Sequence, residues 1–162
     1  MKKLPDNTVV LGVDPGNTTG WALIQVSTGV PLIRKQTAGN KESSDFLRLL
    51  AGIIRNDDYY LYAIIVEDYR IFSHKAKQHI GSDVPAAQII GMVEHQASLM
   101  DVQVIKQPAN KLPIAQKLVG VKMPGDHSKS HWVSAYLHAC YWLIANDYML
   151  SAAQRAQRDE SS

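Results

Sequence analysis

The sequence predicts an α/β domain built on a mixed five-stranded sheet, three antiparallel strands followed by parallel ones, with helices on its faces. Three observations carry this. The apolar run Val9-Val10-Leu11-Gly12-Val13 stops in Asp14-Pro15-Gly16, and a short glycine-containing connection leads to Trp21-Ala22-Leu23-Ile24, the pattern of a hairpin. A second run, Leu61-Tyr62-Ala63-Ile64-Ile65-Val66, is continuously apolar, as a central parallel strand is, and ends in Glu67 and Asp68. Helical periodicity fills the intervals between later strands, giving the order βββαβαβα.

Taken in order, strands are expected over residues 9–13, 21–26 and 30–36, the third set off by Gly29 and Pro31. Ser43 or Ser44 can cap a crossover helix to about residue 56, where Phe46, Leu47, Leu49, Leu50, Ile53 and Ile54 recur at helical spacing and Arg48 and Arg55 face out. The strand at 61–66 follows. Residues 69–82 are polar and basic and read as a loop or short helix. Pro85 then sits at the start of a helix over 84–100, and residues 102–105 form the last strand. A short helical stretch near 115–118 and a turn at 123–126 precede the longest helix, predicted over 128–157, with 155–162 fraying.

At 162 residues the chain fits one domain, with a core over 8–150 and a polar tail over 151–162. Hydrophobic content of 46% and charged content of 20% are globular values that name no function. The net charge of +2 matters less than its placement, since Lys75, Lys77, Lys106, Lys111, Lys117, Lys122 and Lys129 all follow the second acidic strand, where a basic surface suits a polyanion. Solvated lysines on surface loops are the plain alternative. One cysteine, Cys140, set among apolar neighbours, excludes an internal disulfide and points to a reducing, cytoplasmic setting. No apolar run approaches the ~18 residues of a membrane span, so no membrane partner is expected.

A lone acid at a strand end is ordinarily a turn cap, but here there are two. If the strands are neighbours, Asp14 and Glu67 meet at one sheet edge, where two carboxylates can share Mg²⁺ or Mn²⁺. The last helix offers a third wall, with His131 and Ser134 on one face, His138 one turn further and His127 one turn before. His138, amid Ala135, Leu137, Ala139 and Cys140, reads more readily as a hydrogen-bonded core histidine than as a ligand. Tyr69 and Phe72, interleaved with Arg70, His74, Lys75 and Lys77, form a mixture able to stack on bases and neutralise phosphates, and Lys106 and Lys111 extend it.

These residues make the chain resemble the RuvC-type Holliday-junction resolvases of the ribonuclease H-like superfamily, its phage-borne members in particular. The likeness spans roughly residues 9–144. It is strongest in Leu11-Gly12-Val13-Asp14-Pro15-Gly16 with Thr19-Gly20-Trp21-Ala22, and is supported by Ile65-Val66-Glu67, by Gln107-Pro108-Ala109 and by the final helix. The resemblance implies a ribonuclease H-like fold and a structure-selective, metal-dependent endonuclease acting on four-way junctions, flaps or replication forks. It implies a homodimer in the cytoplasm, that of the bacterial host if the gene is phage-borne. Asp14, Glu67 and His131 would hold the metal, with Ser134 in the catalytic set. Residues 84–100 are the candidate interface, since Ile89, Ile90, Met92 and Val93 offer more apolar surface than one sheet face needs. In the family an acid stands where this chain has Ser134. The missing carboxylate leaves the third ligand open among His131, His138 and Asp126, and motivates the alternative of a weak or inactive junction-binding protein. The same hairpin motif occurs in actin-like ATPases and sugar kinases, but those enclose a nucleotide between two such lobes and this chain has one motif.

Overall fold

A computed structural model describes residues 2–55, 58–68, 84–125 and 127–160, with only the backbone at 55 and 127–129. The strands are β1 (Thr8–Asp14), β2 (Thr18–Gln25), β3 (Pro31–Ala38), β4 (Tyr60–Asp68) and β5 (Gln103–Pro108), and the sheet runs β3-β2-β1-β4-β5. The β1–β2 and β2–β3 pairs are antiparallel, while β1–β4 and β4–β5 are parallel. The mixed five-stranded sheet expected from the sequence is therefore the one observed.

Each face of the sheet is covered. Helices α1 (Gly39–Arg55) and α2 (Pro85–Leu99) lie on one side, where Leu11, Val13, Trp21, Ile64 and Val66 meet Phe46, Leu50, Ile89 and Val93. Helices α3 (Leu112–Val119) and α4 (His127–Ala145) lie on the other, where Val10, Ala22, Ile24, Ala63 and Ile65 meet Ala115, Val119, Ala135 and Ala139. Strand residues alternate between faces, as the two-residue period requires. A bulge at Tyr62 interrupts that alternation, because Val9 pairs with Leu61 while Val10 pairs with Ala63. The extra residue sets the phase of β4, so that Ile65 beside Gly12 and Glu67 beside Asp14 both belong to the α4 face.

Four expectations need correction. The first helix starts at Gly39, and Ser43 is no cap: it is buried, with its hydroxyl bonded to the Gly39 carbonyl and the Thr37 hydroxyl, which accepts the Trp21 indole N–H at 2.7 Å. The long helix predicted over 128–157 is two helices, α4 and α5 (Ala152–Glu160). Asp147 adopts a left-handed φ of 64°, while the Tyr148 N–H donates to the Leu143 carbonyl and the Asp147 N–H to that of Ile144, a Schellman stop. The segment expected to fray from 155 is helical to Glu160, its start anchored by a capping box in which Ser151 and Gln154 exchange hydrogen bonds and by Arg155, which donates to the carbonyls of Leu150 and Val119, while residues 156–160 are exposed. Lastly, the apolar residues of α2 mostly cover the sheet: Ile89, Ile90 and Val93 are buried and supply no surface for a partner, while Met92 packs against the same core and stays partly exposed. Among the described residues no helix is long and apolar enough to cross a membrane.

The packing of α4 on the sheet depends on two glycines in strand interiors, where glycine marks close backbone approach. A Cβ at Gly12 would lie 2.1 Å from the Ala135 carbonyl oxygen, and one at Gly20 would lie 2.1 Å from the His131 carbonyl carbon and oxygen. Because the obstacle is backbone, neither clash is relieved by a rotamer change. Gly20→Ala should therefore destabilise the protein by roughly 1–3 kcal/mol or more as α4 is pushed off β2. Gly52→Ala on α1, where nothing lies within 4 Å of the added carbon, should be neutral or stabilise by up to about 1 kcal/mol. Thermal or urea unfolding of the two variants checks this, and equal midpoints would refute the close-approach role.

Candidate active site

The parallel strands β1, β4 and β5 end side by side, so the carboxyl end of the sheet presents Asp14, Glu67 and Gln107 in a row. Val13 pairs with Val66 just before the two acids, and Glu67 pairs directly with Gln107. Helix α4 crosses this row with one face: His131, Ser134 and His138, spaced three and four apart, each meet an acid. His131 Nδ1 lies 3.1 Å from Asp14 Oδ2. The Ser134 hydroxyl donates to Glu67 Oε2 at 3.3 Å, and His138 Nε2 lies 3.1 Å from the same oxygen. Behind it, His138 Nδ1 is 2.8 Å from Gln107 Oε1. Asp14 and Glu67 stay reachable, with 16% and 24% of their side-chain surface exposed, whereas His138 is sealed at 0%.

Burial disfavours the charged form of Asp14, and the neighbouring Glu67 carboxylate adds repulsion; the charge and hydrogen bond of His131 oppose both without cancelling them. The net result raises Asp14 from its ordinary 3.8 to about 6. Such a pair of acids is a site of unsatisfied negative potential, the environment that draws a cation.

Among the described residues no group of three or more His, Cys, Asp and Glu converges as a metal cage. The donor chemistry nonetheless fits a hard cation of the Mg²⁺ type, which is ordinarily held by one or two carboxylates plus waters and substrate phosphate rather than by an all-protein cage. Asp14 and Glu67 are those carboxylates.

The structure brings together Asp14, Glu67, His131 and Ser134 as the sequence analysis expected, and resolves His138 as both a buried histidine and a partner of Glu67. Lys106 is placed on the α2 side of β5, where its ammonium pairs with Glu94 at 2.8 Å. Lys111 follows β5 in a short 3₁₀ turn (Ala109–Lys111), its Nζ 5.9 Å from the centre of the Tyr141 ring. Tyr69, Arg70, Phe72, Lys75, Lys77 and Asp126 lie outside the described residues.

Sequence reasoning missed three participants. Gln107 was noted only within a motif, and its pairing with His138 depends on β5 lying beside β4. Gln36 on β3 accepts the backbone N–H groups of His131 and Trp132 through Oε1, at 3.1 and 3.4 Å, and so pins the start of α4. Arg34 stacks its guanidinium 5.3 Å from the Trp132 ring centre, next to His131. Only the glycines carried a readable signal, since Gly12 interrupts an otherwise apolar strand.

No protein-family model matches the chain by sequence, and no curated protein matches it. Solved structures do. RuvC from Thermus thermophilus in complex with a Holliday junction substrate is similar over 89% of this chain and 98% of that one, with a TM-score of 0.60 and 15% sequence identity. A second Thermus thermophilus RuvC structure matches over 88% and 98%, with a TM-score of 0.55 and 12% identity. The architecture is thus the ribonuclease H-like fold of RuvC, reached with little sequence in common.

The Asp14 shift has a stability consequence. The folded protein holds the Asp14 proton more tightly than the unfolded chain does, so ionisation costs stability. The cost is absent below 3.8, grows as pH rises, and is complete above about 6. Asp14→Asn in chelator-treated protein should therefore be more stable than wild type at neutral pH, by on the order of 2–3 kcal/mol, with the gain vanishing in acid below the unfolded pKa. Unfolding midpoints across the pH range check this, and a pH-independent difference would contradict it.

Proposed function

We propose that this protein is a divalent-metal-dependent endonuclease that cuts branched DNA, four-way junctions above all, by phosphodiester hydrolysis. The observation that carries the reading is the pair of partly exposed carboxylates, Asp14 and Glu67, at the ends of adjacent parallel strands and faced by His131 from α4. The likeness in fold to a RuvC solved with a Holliday junction supports branched DNA as the substrate class.

Asp14 and Glu67 would hold the cation, which when bound supplies Lewis acidity toward a phosphate oxygen and a more acidic water. The chain's own groups do the rest. Asp14, charged at neutral pH, contributes a carboxylate whose charge the folded site leaves under-compensated. His131, 38% exposed and bonded to Asp14 through Nδ1, stands at the open side of the pair, where it can add a ligand or move a proton to a leaving oxygen. An imidazole in that set favours Mn²⁺ over Mg²⁺. Ser134 is a neutral hydroxyl that adds no charge, and its proton is donated to Glu67. That same observation favours a second reading, a junction-binding protein with weak or no cleavage.

A four-way junction has near two-fold symmetry, so paired cuts call for two copies of the site related by a two-fold axis. We therefore expect a homodimer, with an interface other than the buried apolar residues of α2. Lys111 with Tyr141, Trp132 with Arg34, and the basic segment at 69–82 would take the phosphates and unpaired bases. Lys106 would join them only by exchanging Glu94 for phosphate, a small cost for an exposed ion pair.

A nicking assay on four-way, three-way and flap substrates with Mg²⁺ or Mn²⁺ tests the reading. Wild type should cut, faster with Mn²⁺. Asp14→Asn and Glu67→Gln should each lower the rate by at least ~100-fold while leaving junction affinity within about threefold. Binding without divalent-dependent cleavage would establish the second reading instead. Lys111→Ala should make the log–log salt dependence of junction affinity shallower by about 0.9, one phosphate contact, and an unchanged slope would place the DNA elsewhere.

A further inference from the structure

We propose that His138 is a positioning residue for Glu67, clamped from behind by Gln107, and that together with Ser134 it holds Glu67 Oε2 on the protein side so that Oε1 is left for the cation. The inference rests on the reading of Glu67 as a cation ligand.

Three features carry it. First, His138 is completely buried and both of its ring nitrogens are engaged, Nε2 with Glu67 Oε2 at 3.1 Å and Nδ1 with Gln107 Oε1 at 2.8 Å. A sealed side chain touches neither substrate nor solvent, so whatever it contributes passes through its partners. Second, the direction of the bond is determined by chemistry. An ionised Glu67 only accepts, so Nε2 carries a proton toward it; Nδ1 then donates to the Gln107 oxygen or, with the amide turned, accepts its N–H. Third, the donors converge on one atom. Ser134 Oγ and His138 Nε2 both reach Oε2, and among the described residues no hydrogen bond reaches Oε1.

The surroundings make this arrangement purposeful. His138 lies among Leu137, Ala139 and Cys140, all fully buried, and Gln107 is 6% exposed. If the position only filled space, leucine would serve without the desolvation cost of an imidazole and an amide. The polar pair is worth burying because it ends on a carboxylate at the site. Partners of this kind orient metal ligands elsewhere, and their removal typically weakens metal affinity or activity 10–100-fold.

The test measures binding of Mn²⁺ alone, by electron paramagnetic resonance of the free ion, to chelator-stripped wild type, His138→Leu, His138→Gln and Gln107→Met. His138→Leu should weaken Mn²⁺ binding about 10-fold or more. His138→Gln, which keeps an N–H at the reach of Nε2, should recover most of it. Gln107→Met leaves the imidazole in place but unclamped and should fall between; it carries the test if His138→Leu does not fold. On junction DNA, kcat should drop in His138→Leu with KM unchanged. Wild-type Mn²⁺ affinity in both His138→Leu and Gln107→Met would overturn this role while leaving the metal reading intact. The same affinity in Gln107→Met alone, should His138→Leu not fold, would also overturn it. No Mn²⁺ binding by wild type itself would overturn the metal reading and this inference with it.

Discussion

The close approach of α4 to the sheet is the constraint on which the site depends. At Gly12 and Gly20 the helix backbone rests where any side chain would stand, and that contact brings residues 131, 134 and 138 down to the carboxyl ends of β1 and β4. A side chain at either glycine would hold the helix further from the sheet and lengthen the 3.3 Å reach of the Ser134 hydroxyl to Glu67. Gln36 secures the same approach from the edge by accepting two N–H groups of the helix. The glycines thus act on chemistry through distance alone, without touching an acid.

The site that results is electrostatically costly by construction. Two carboxylates share a largely buried edge, one of them raised to about 6, and each is answered by a histidine from α4. The answers differ in kind. His131 is partly open and can change partners, whereas His138 is sealed and cannot. Asp14 therefore has a partly exposed neighbour and Glu67 a buried one, an arrangement that suits one histidine to approach a substrate and the other to hold a ligand in place. Ser134 belongs with His138: where a resolvase of the resembled type carries an acid, this chain has a donor committed to Glu67.

Much of this was legible from residues alone, and the failures have physical causes. Asp14 and Glu67 could be found because each ends an apolar run, a one-dimensional signal. The break at 146–151 was also written locally, in Asn146-Asp147 and in the Ser-x-x-Gln box at 151–154, but the apolar Tyr148-Met149-Leu150 within it and the helix-forming Ala, Gln and Arg after it masked it. The apolar residues of α2 were misjudged because the area a helix buries depends on how deeply it sits on the sheet, which periodicity does not report. The partnership of His138 with Gln107 joins residues 31 apart in sequence, and no local pattern predicts which buried polar groups satisfy each other.

The sequence by itself determined the order of elements, the mixed sheet and the identity of the two acids, because strand alternation, helix periodicity and turn chemistry are set by neighbours along the chain. Tertiary structure alone decided which face each acid takes, which oxygen of Glu67 is held, and how near α4 comes. The continuous apolar run of β4 is compatible with either phase, and the bulge at Tyr62, visible only in its pairing with Val9 and Val10, selects the one that turns Glu67 toward α4. Side-chain direction in a strand buried on both faces is a property of pairing rather than of composition, so it had to come from the fold.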